Sequence, residues 1–199
     1  MKKQLILVSL LFFAINMTGF GQGKKGQSFG KRSAEGIMQY VGEQAQKENK
    51  KVLVIFHASW CGWCKKMEAS INDPAIKKMF DDNYVIAYID AMEQPDKKDL
   101  ETPNSLALIT KYKGEKSGLP FWFIADDKGN KLADSHIRPS GAALDTYGEN
   151  IGCPAEESEV AHFLEILKAT SSLNAEQLAI IGKRFALNKP TPVPAKGSN

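Results

Sequence analysis

The run Val52-Leu53-Val54-Ile55-Phe56-His57-Ala58 leads into Trp60-Cys61-Gly62-Trp63-Cys64, and this junction constrains the fold more than any other segment. The run is largely apolar and has β-branched members, the pattern of a central strand covered on both faces. Cys64-Lys65-Lys66-Met67-Glu68 then has helical character, so both thiols fall on the first turn of a helix fed by a strand. At this spacing they can close a small disulfide ring and open it again. Cys61 stands nearest the helix N-terminus, where unpaired N–H groups and the macrodipole stabilise negative charge. That favours the thiolate, which is the reactive species. Cys61 is therefore the expected attacking thiol, and Cys64, one turn inside, resolves the mixed disulfide.

Other chemistries fit the pair less well. A structural zinc site needs four ligands, and no second Cys-x-x-Cys or close His pair supplies them. A c-type haem attachment needs His directly after the second Cys, where this chain has Lys65. A redox-inert binding module, metal-delivering or chaperone-like, is the rival class. A copper(I) site would use thiolate or Met ligands beside the pair, and Met67, at i+3 from Cys64, is the near candidate. The leading expectation has no metal and no dissociable cofactor, because the Cys61–Cys64 pair itself carries the two electrons.

Residues 1–21 read as a signal peptide. Lys2-Lys3 is a charged start, Leu5 to Ile15 an apolar core, and Gly19-Phe20-Gly21 places small residues at a cleavage site before Gln22. The apolar stretch, about 11 residues, falls short of the roughly 20 that span a bilayer. Removing the leader subtracts two lysines from 26 basic residues, leaving 24 against 23 acidic. A near-neutral mature chain gives no reason to expect nucleic acid as a partner. Export into an oxidising periplasm usually brings cysteines that staple a fold. Three cysteines in 199 residues are too few for that, so chemistry is their more natural use.

Along the chain, 22–32 is a Gly- and Lys-rich lead-in and Ser33 to Lys50 an amphipathic helix. The helix after Cys61 should break near Asn72-Asp73-Pro74, with Asp73 capping a second stretch, Ala75 to Phe80, and Pro74 at its first position. Tyr84 to Asp90 is a second core strand. Glu93 to Thr102 is a polar loop or short insertion, and Asn104 to Tyr112 a helix ended by Gly114. Phe121 to Ile124 and Lys131 to Asp134 are strands joined by an Asp-Asp-Lys-Gly-Asn turn. His136 to Gly152 carries no clear pattern. Glu156 to Ala169 and Ala175 to Ala186 are amphipathic helices, and 189–199 reads as a disordered tail with three prolines. The alternation predicts an α/β fold of one domain, 33–150, with a mixed central sheet. A helical extension, 151–188, packs on it.

Leu119-Pro120, behind Gly118, enters the third strand. Such a proline is often a turn residue. With Cys-x-x-Cys upstream it also reads as a cis-proline beside the sulfurs, exposing the backbone of residue 119 to an extended substrate that adds as a strand.

Trp60-Cys61-Gly62-Trp63-Cys64-Lys65 and Gly118-Leu119-Pro120 together resemble the thioredoxin superfamily, over Val52 to about Asp134. Lys65-Lys66-Met67-Glu68 and Asn72-Asp73-Pro74 are similar to exported bacterial thioredoxin-like proteins. They are also similar to the periplasmic domain of the transmembrane conduit that keeps exported cysteines reduced. The resemblance implies a thioredoxin-like three-layer fold and disulfide oxidoreductase activity, and the likeness of the Glu68 region to reducing-pathway proteins makes a reductant the expected role. It implies protein thiols and disulfides of exported clients as partners; a membrane electron donor and a monomeric state are separate expectations. An oxidase or isomerase belongs to the same class.

Three departures from cytoplasmic thioredoxin matter. Its buried Asp six residues before the first Cys is Ile55 here, its Pro before the second Cys is Trp63, and His57 stands where an aromatic residue is usual. Glu68, at i+4 from Cys64 and on the same helical face, is the candidate proton acceptor replacing that Asp; a solvated surface carboxylate is the alternative. His57 either perturbs Cys61 or simply packs. Trp60 and Trp63 wall the disulfide and offer apolar surface to clients, or are ordinary packing. Cys153, near the start of the first C-terminal helix, is a buried free thiol, a third redox thiol or an intermolecular link.

Overall fold

The computed structural model describes residues 31–190. The expected signal peptide, nearly all of the lead-in and residues 191–199 of the expected tail lie outside the described residues. The elements run α1 (Ala34–Glu48), β1 (Lys51–His57), α2 (Gly62–Ile71), α3 (Lys77–Asn83) and β2 (Tyr84–Asp90). A 3-10 helix (Pro95–Leu100) and α4 (Ser105–Lys111) precede β3 (Phe121–Ala125) and β4 (Lys131–Asp134). The short strands β5 (His136–Ile137) and β6 (Glu149–Asn150) lead to α5 (Glu157–Thr170) and α6 (Ala175–Ala186).

β1 is central because Val52 to Phe56 can be buried on both faces, and all five are 0% exposed. It pairs parallel with β2 and antiparallel with β3, which pairs antiparallel with β4, in the order β2-β1-β3-β4. Strand alternation then sorts the core into two layers. Val52, Val54, Phe56, Ala87 and Phe123 face α1 and α4, whose Ile37, Val41, Leu108 and Ile109 join that cluster. Leu53, Ile55 and Trp122 face the other way, onto Met67 and Ile71 of α2 and Phe80 of α3. Phe163 and Leu167 of α5 and Ile181 and Phe185 of α6 complete the same cluster. The two C-terminal helices thus close one face of the sheet, and Phe163 and Phe185 meet ring to ring at 4.8 Å. Both strands of the parallel pair end, at His57 and Asp90, beside the Cys-x-x-Cys turn.

Local departures from the sequence reading have local causes. α3 begins at Lys77, two residues after the expected start, because Asp73 forms a turn instead of a cap. Its Oδ1 accepts from Ala75 N–H at 3.0 Å and its carbonyl from Ile76 and Lys77 N–H at 3.0 and 2.8 Å. After α4 the left-handed residue is Lys113 (φ +66°), not Gly114. Glycine is required at 114 for space, since a Cβ there would lie 2.2 Å from the Phe121 ring.

Candidate active site

Cys61 is the N-cap of α2, and its Sγ accepts a hydrogen bond from the Cys64 N–H at 3.1 Å. A sulfur thus takes the place usually held by a Ser or Asp oxygen at a helix start, on one of the unpaired amides. Cys61 and Cys64 are joined as a disulfide with an S–S distance of 2.04 Å. Both are nearly buried, whereas Trp60 and Trp63 beside them are 48% and 40% exposed. The Trp60 indole N–H donates to Met92 O at 2.9 Å, and the Lys66 ammonium lies 4.2 Å from the Trp63 ring centroid. A Cβ on Gly62 would meet nothing within 4 Å, so the helix start is open to a partner. From the far side Leu119, half-buried, packs on Ala58, Cys61 and Cys64. The Leu119–Pro120 peptide bond is cis, and Pro120 is buried.

A set of mutually interacting titratable groups comes from α2 and the ends of β1 and β2. Burial raises the pKa of Tyr88, with smaller contributions from the Glu68 and Asp81 charges. Burial also raises Asp90, opposed by His57 and helped by Glu93 and, least, by Glu68, which is partly buried on α2. His57 Nε2 lies 3.3 Å from Asp90 Oδ1, and its ring centroid is 5.5 Å from that of Tyr88. Ile55 is fully buried among Leu53 and Met67, so no acid occupies that place. Met67 is itself 0% exposed in the core, which removes it as a ligand presented beside the sulfurs.

Glu93 and Asp90 were not singled out by sequence. Glu93 is 4% exposed and accepts from both Ser59 N–H (2.6 Å) and Ser59 Oγ–H (2.8 Å), fixing the turn that delivers Trp60 and Cys61. Nothing distinguished it within a charged stretch; its signal is a contact 34 residues away in sequence.

A family model described as thioredoxin-like matches residues 40–126. That segment is a thioredoxin-like domain. It contains both redox cysteines, Glu68 and the Leu119–Pro120 loop. The probable protein disulfide-isomerase ER-60 of Schistosoma mansoni is 41% identical over 49 residues, 25% of this chain and 10% of that protein. A protein disulfide-isomerase of Hordeum vulgare is 35% identical over 66 residues, 32% of this chain and 13% of that protein. The chain spans about a tenth of the length of these curated relatives. The structure of a disulphide isomerase from Xylella fastidiosa Temecula1 is 16% identical with a TM-score of 0.45, covering 55% of this chain and 79% of that one.

Two further groups are Cys153, beyond the thioredoxin-like domain, and a polar cluster of Ser117, Asp134 and His136 at its edge. Cys153 is a free, buried thiol three residues before the α5 N-cap, Glu156. Burial pushes it up to about 12, with Glu159 adding and Lys66 and Arg184 opposing, so its thiolate is suppressed. Ser117, His136 and Asp134 look like a nucleophile set but are wired otherwise. Arg138 Nη2 donates to His136 Nδ1 (3.1 Å), leaving Nε2–H to donate to Ser117 Oγ at 2.5 Å. Such a histidine cannot take the serine proton. Asp134 is engaged instead by Arg138 (2.6 Å, twice) and Lys131 (2.7 Å). Burial pushes Asp134 up, but these bonds outweigh it and hold the carboxyl below its ordinary value.

Proposed function

We propose that this protein is an exported, periplasmic thiol–disulfide oxidoreductase that reduces disulfides of client proteins through Cys61 and Cys64. The observation that carries the reading is the Cys61 sulfur at the N-cap of α2, receiving the Cys64 N–H, in a disulfide with Cys64. In the reduced protein that amide and the helix terminus favour a Cys61 thiolate. The thiolate attacks one sulfur of the client disulfide, forming a mixed disulfide and releasing the other client sulfur as thiolate. Cys64, its proton passed to Glu68, attacks Cys61 Sγ, closing the 61–64 disulfide and releasing the second client sulfur. Two electrons pass to the client, and a membrane dithiol donor returns them. Trp60 and Trp63 supply exposed apolar contact, and Leu119-Pro120 the edge along which an extended client lies.

The leader at 1–21 supports export. The likeness of Lys65-Lys66-Met67-Glu68 to proteins of reducing pathways supports the direction. The protein acts as a monomer, without dissociable cofactor or nucleic acid. The short identities to protein disulfide-isomerases favour one second reading, isomerisation by the same pair. Equilibration of the 61–64 pair with glutathione separates them. A potential near about −270 mV supports the reductant, and one near about −180 to −120 mV the isomerase or oxidase. Cys64→Ser should trap clients through Cys61; trapping through Cys64 in Cys61→Ser would reverse the roles.

A further inference from the structure

The loop that lays Leu119 on the two sulfurs is held from the segment whose sequence carried no pattern. Asn150 Nδ2 donates to Ser117 O at 2.9 Å and Pro120 O at 3.1 Å, the carbonyls on either side of Gly118-Leu119. Its Oδ1 accepts from Gly152 N–H at 3.2 Å, which fixes the amide in that sense. His136 Nε2–H holds Ser117 Oγ, with the ring oriented by Arg138. Gly152 takes a left-handed φ of +54° beside Pro120, where a Cβ would make ordinary contact with the proline Cδ at 3.6 Å. The segment is itself anchored to β3, since Gly152 O accepts from Trp122 Nε1 at 2.8 Å.

We propose that β5–β6 is a clamp that sets residue 119 against the disulfide for polypeptide substrates, with Asn150 and His136 as positioning residues. The inference rests on the oxidoreductase reading and deepens it. Neither residue belongs to the domain matched by the thioredoxin-like family model, and neither touches a sulfur. Their bonds hold the loop in its docking shape before a client arrives, so binding does not have to order it. A substrate without a peptide backbone gains nothing from that preorganisation.

The test compares wild type with Asn150→Ala on two disulfides: a peptide with four or more residues flanking each cysteine, and 2-hydroxyethyl disulfide. The expected result is a KM for the peptide raised about tenfold, with kcat, the hydroxyethyl disulfide rate and the 61–64 potential within about twofold of wild type. Equal losses on both disulfides, or an unchanged peptide KM, overturn the clamp while leaving the oxidoreductase reading intact. If Asn150→Ala does not fold, Ser117→Ala, which removes only the His136 bond, is judged by the same split at about threefold. A wild-type protein inactive on both disulfides overturns the oxidoreductase reading and the clamp with it.

Discussion

Cys61 and Cys153 are almost equally hidden, 3% and 5% exposed, and each precedes a helix, yet their sulfurs meet opposite environments. Cys61 occupies the cap itself and receives a helix amide at 3.1 Å. Cys153 lies three residues short of the α5 cap, where the Glu156 and Glu159 side chains fill the capping roles. Its polar neighbour is Asn188 Nδ2, at 3.4 Å. Nearness to a helix start therefore does not make a reactive thiol. What matters is whether an unpaired amide points at the sulfur, because burial without such a donor favours the neutral form.

The largest expected effect tests that contrast in turnover. Cys61→Ser should reduce exchange with a protein disulfide about 1,000-fold or more, whereas Cys153→Ser keeps the wild-type rate. A comparable loss in Cys153→Ser would give that thiol a redox role and erase the distinction.

Alkylation of the reduced protein sharpens it further. At pH 7 a thiol at about 12 is ionised on the order of one part in 10⁵. Iodoacetamide should label Cys61 first, and labelling of Cys153 should climb about tenfold per pH unit without levelling below pH 10. A plateau near neutrality at Cys153 would contradict the burial argument.

The same thiol predicts an alkaline stability limb. Its folded value lies above the unfolded value of 9.0, so the folded state holds a proton that the unfolded chain gives up. That contribution is complete below pH 9 and is lost as pH rises toward 12, by up to about 1.4 kcal/mol per unit. Denaturant midpoints between pH 9 and 10 should fall in wild type and fall less in Cys153→Ser. Above pH 10 the buried tyrosines Tyr84, Tyr88 and Tyr112, also raised by burial, add a decline common to both proteins.

The smallest effect is at Glu68. Glu68→Gln should slow turnover at neutral pH severalfold and shift the pH–rate profile, with the fold intact. An unchanged profile would make Glu68 a surface carboxylate with no part in proton transfer.

Local pattern by itself determined a good deal here. The two-face apolar run of β1, the cap sulfur of α2, the 84–90 strand and both C-terminal helices follow from periodicity and end chemistry, set by residues within a turn or two. The alternation of elements gave an α/β fold with a mixed sheet, and the thioredoxin-like architecture was legible as what the resemblance of the Cys-x-x-Cys and Leu119-Pro120 motifs implies. Tertiary structure alone decided the rest. Glu93 meets Ser59 across 34 residues, Asn150 meets Ser117 and Pro120 across 33 and 30, and His57 meets Asp90 between adjacent strands. Burial within a cluster that includes Phe163, Ile181 and Phe185 raises the Cys153 thiol above its ordinary value. Helix and strand periods are read by neighbouring residues, but desolvation and a hydrogen bond to a distant carbonyl exist only once the layers have packed.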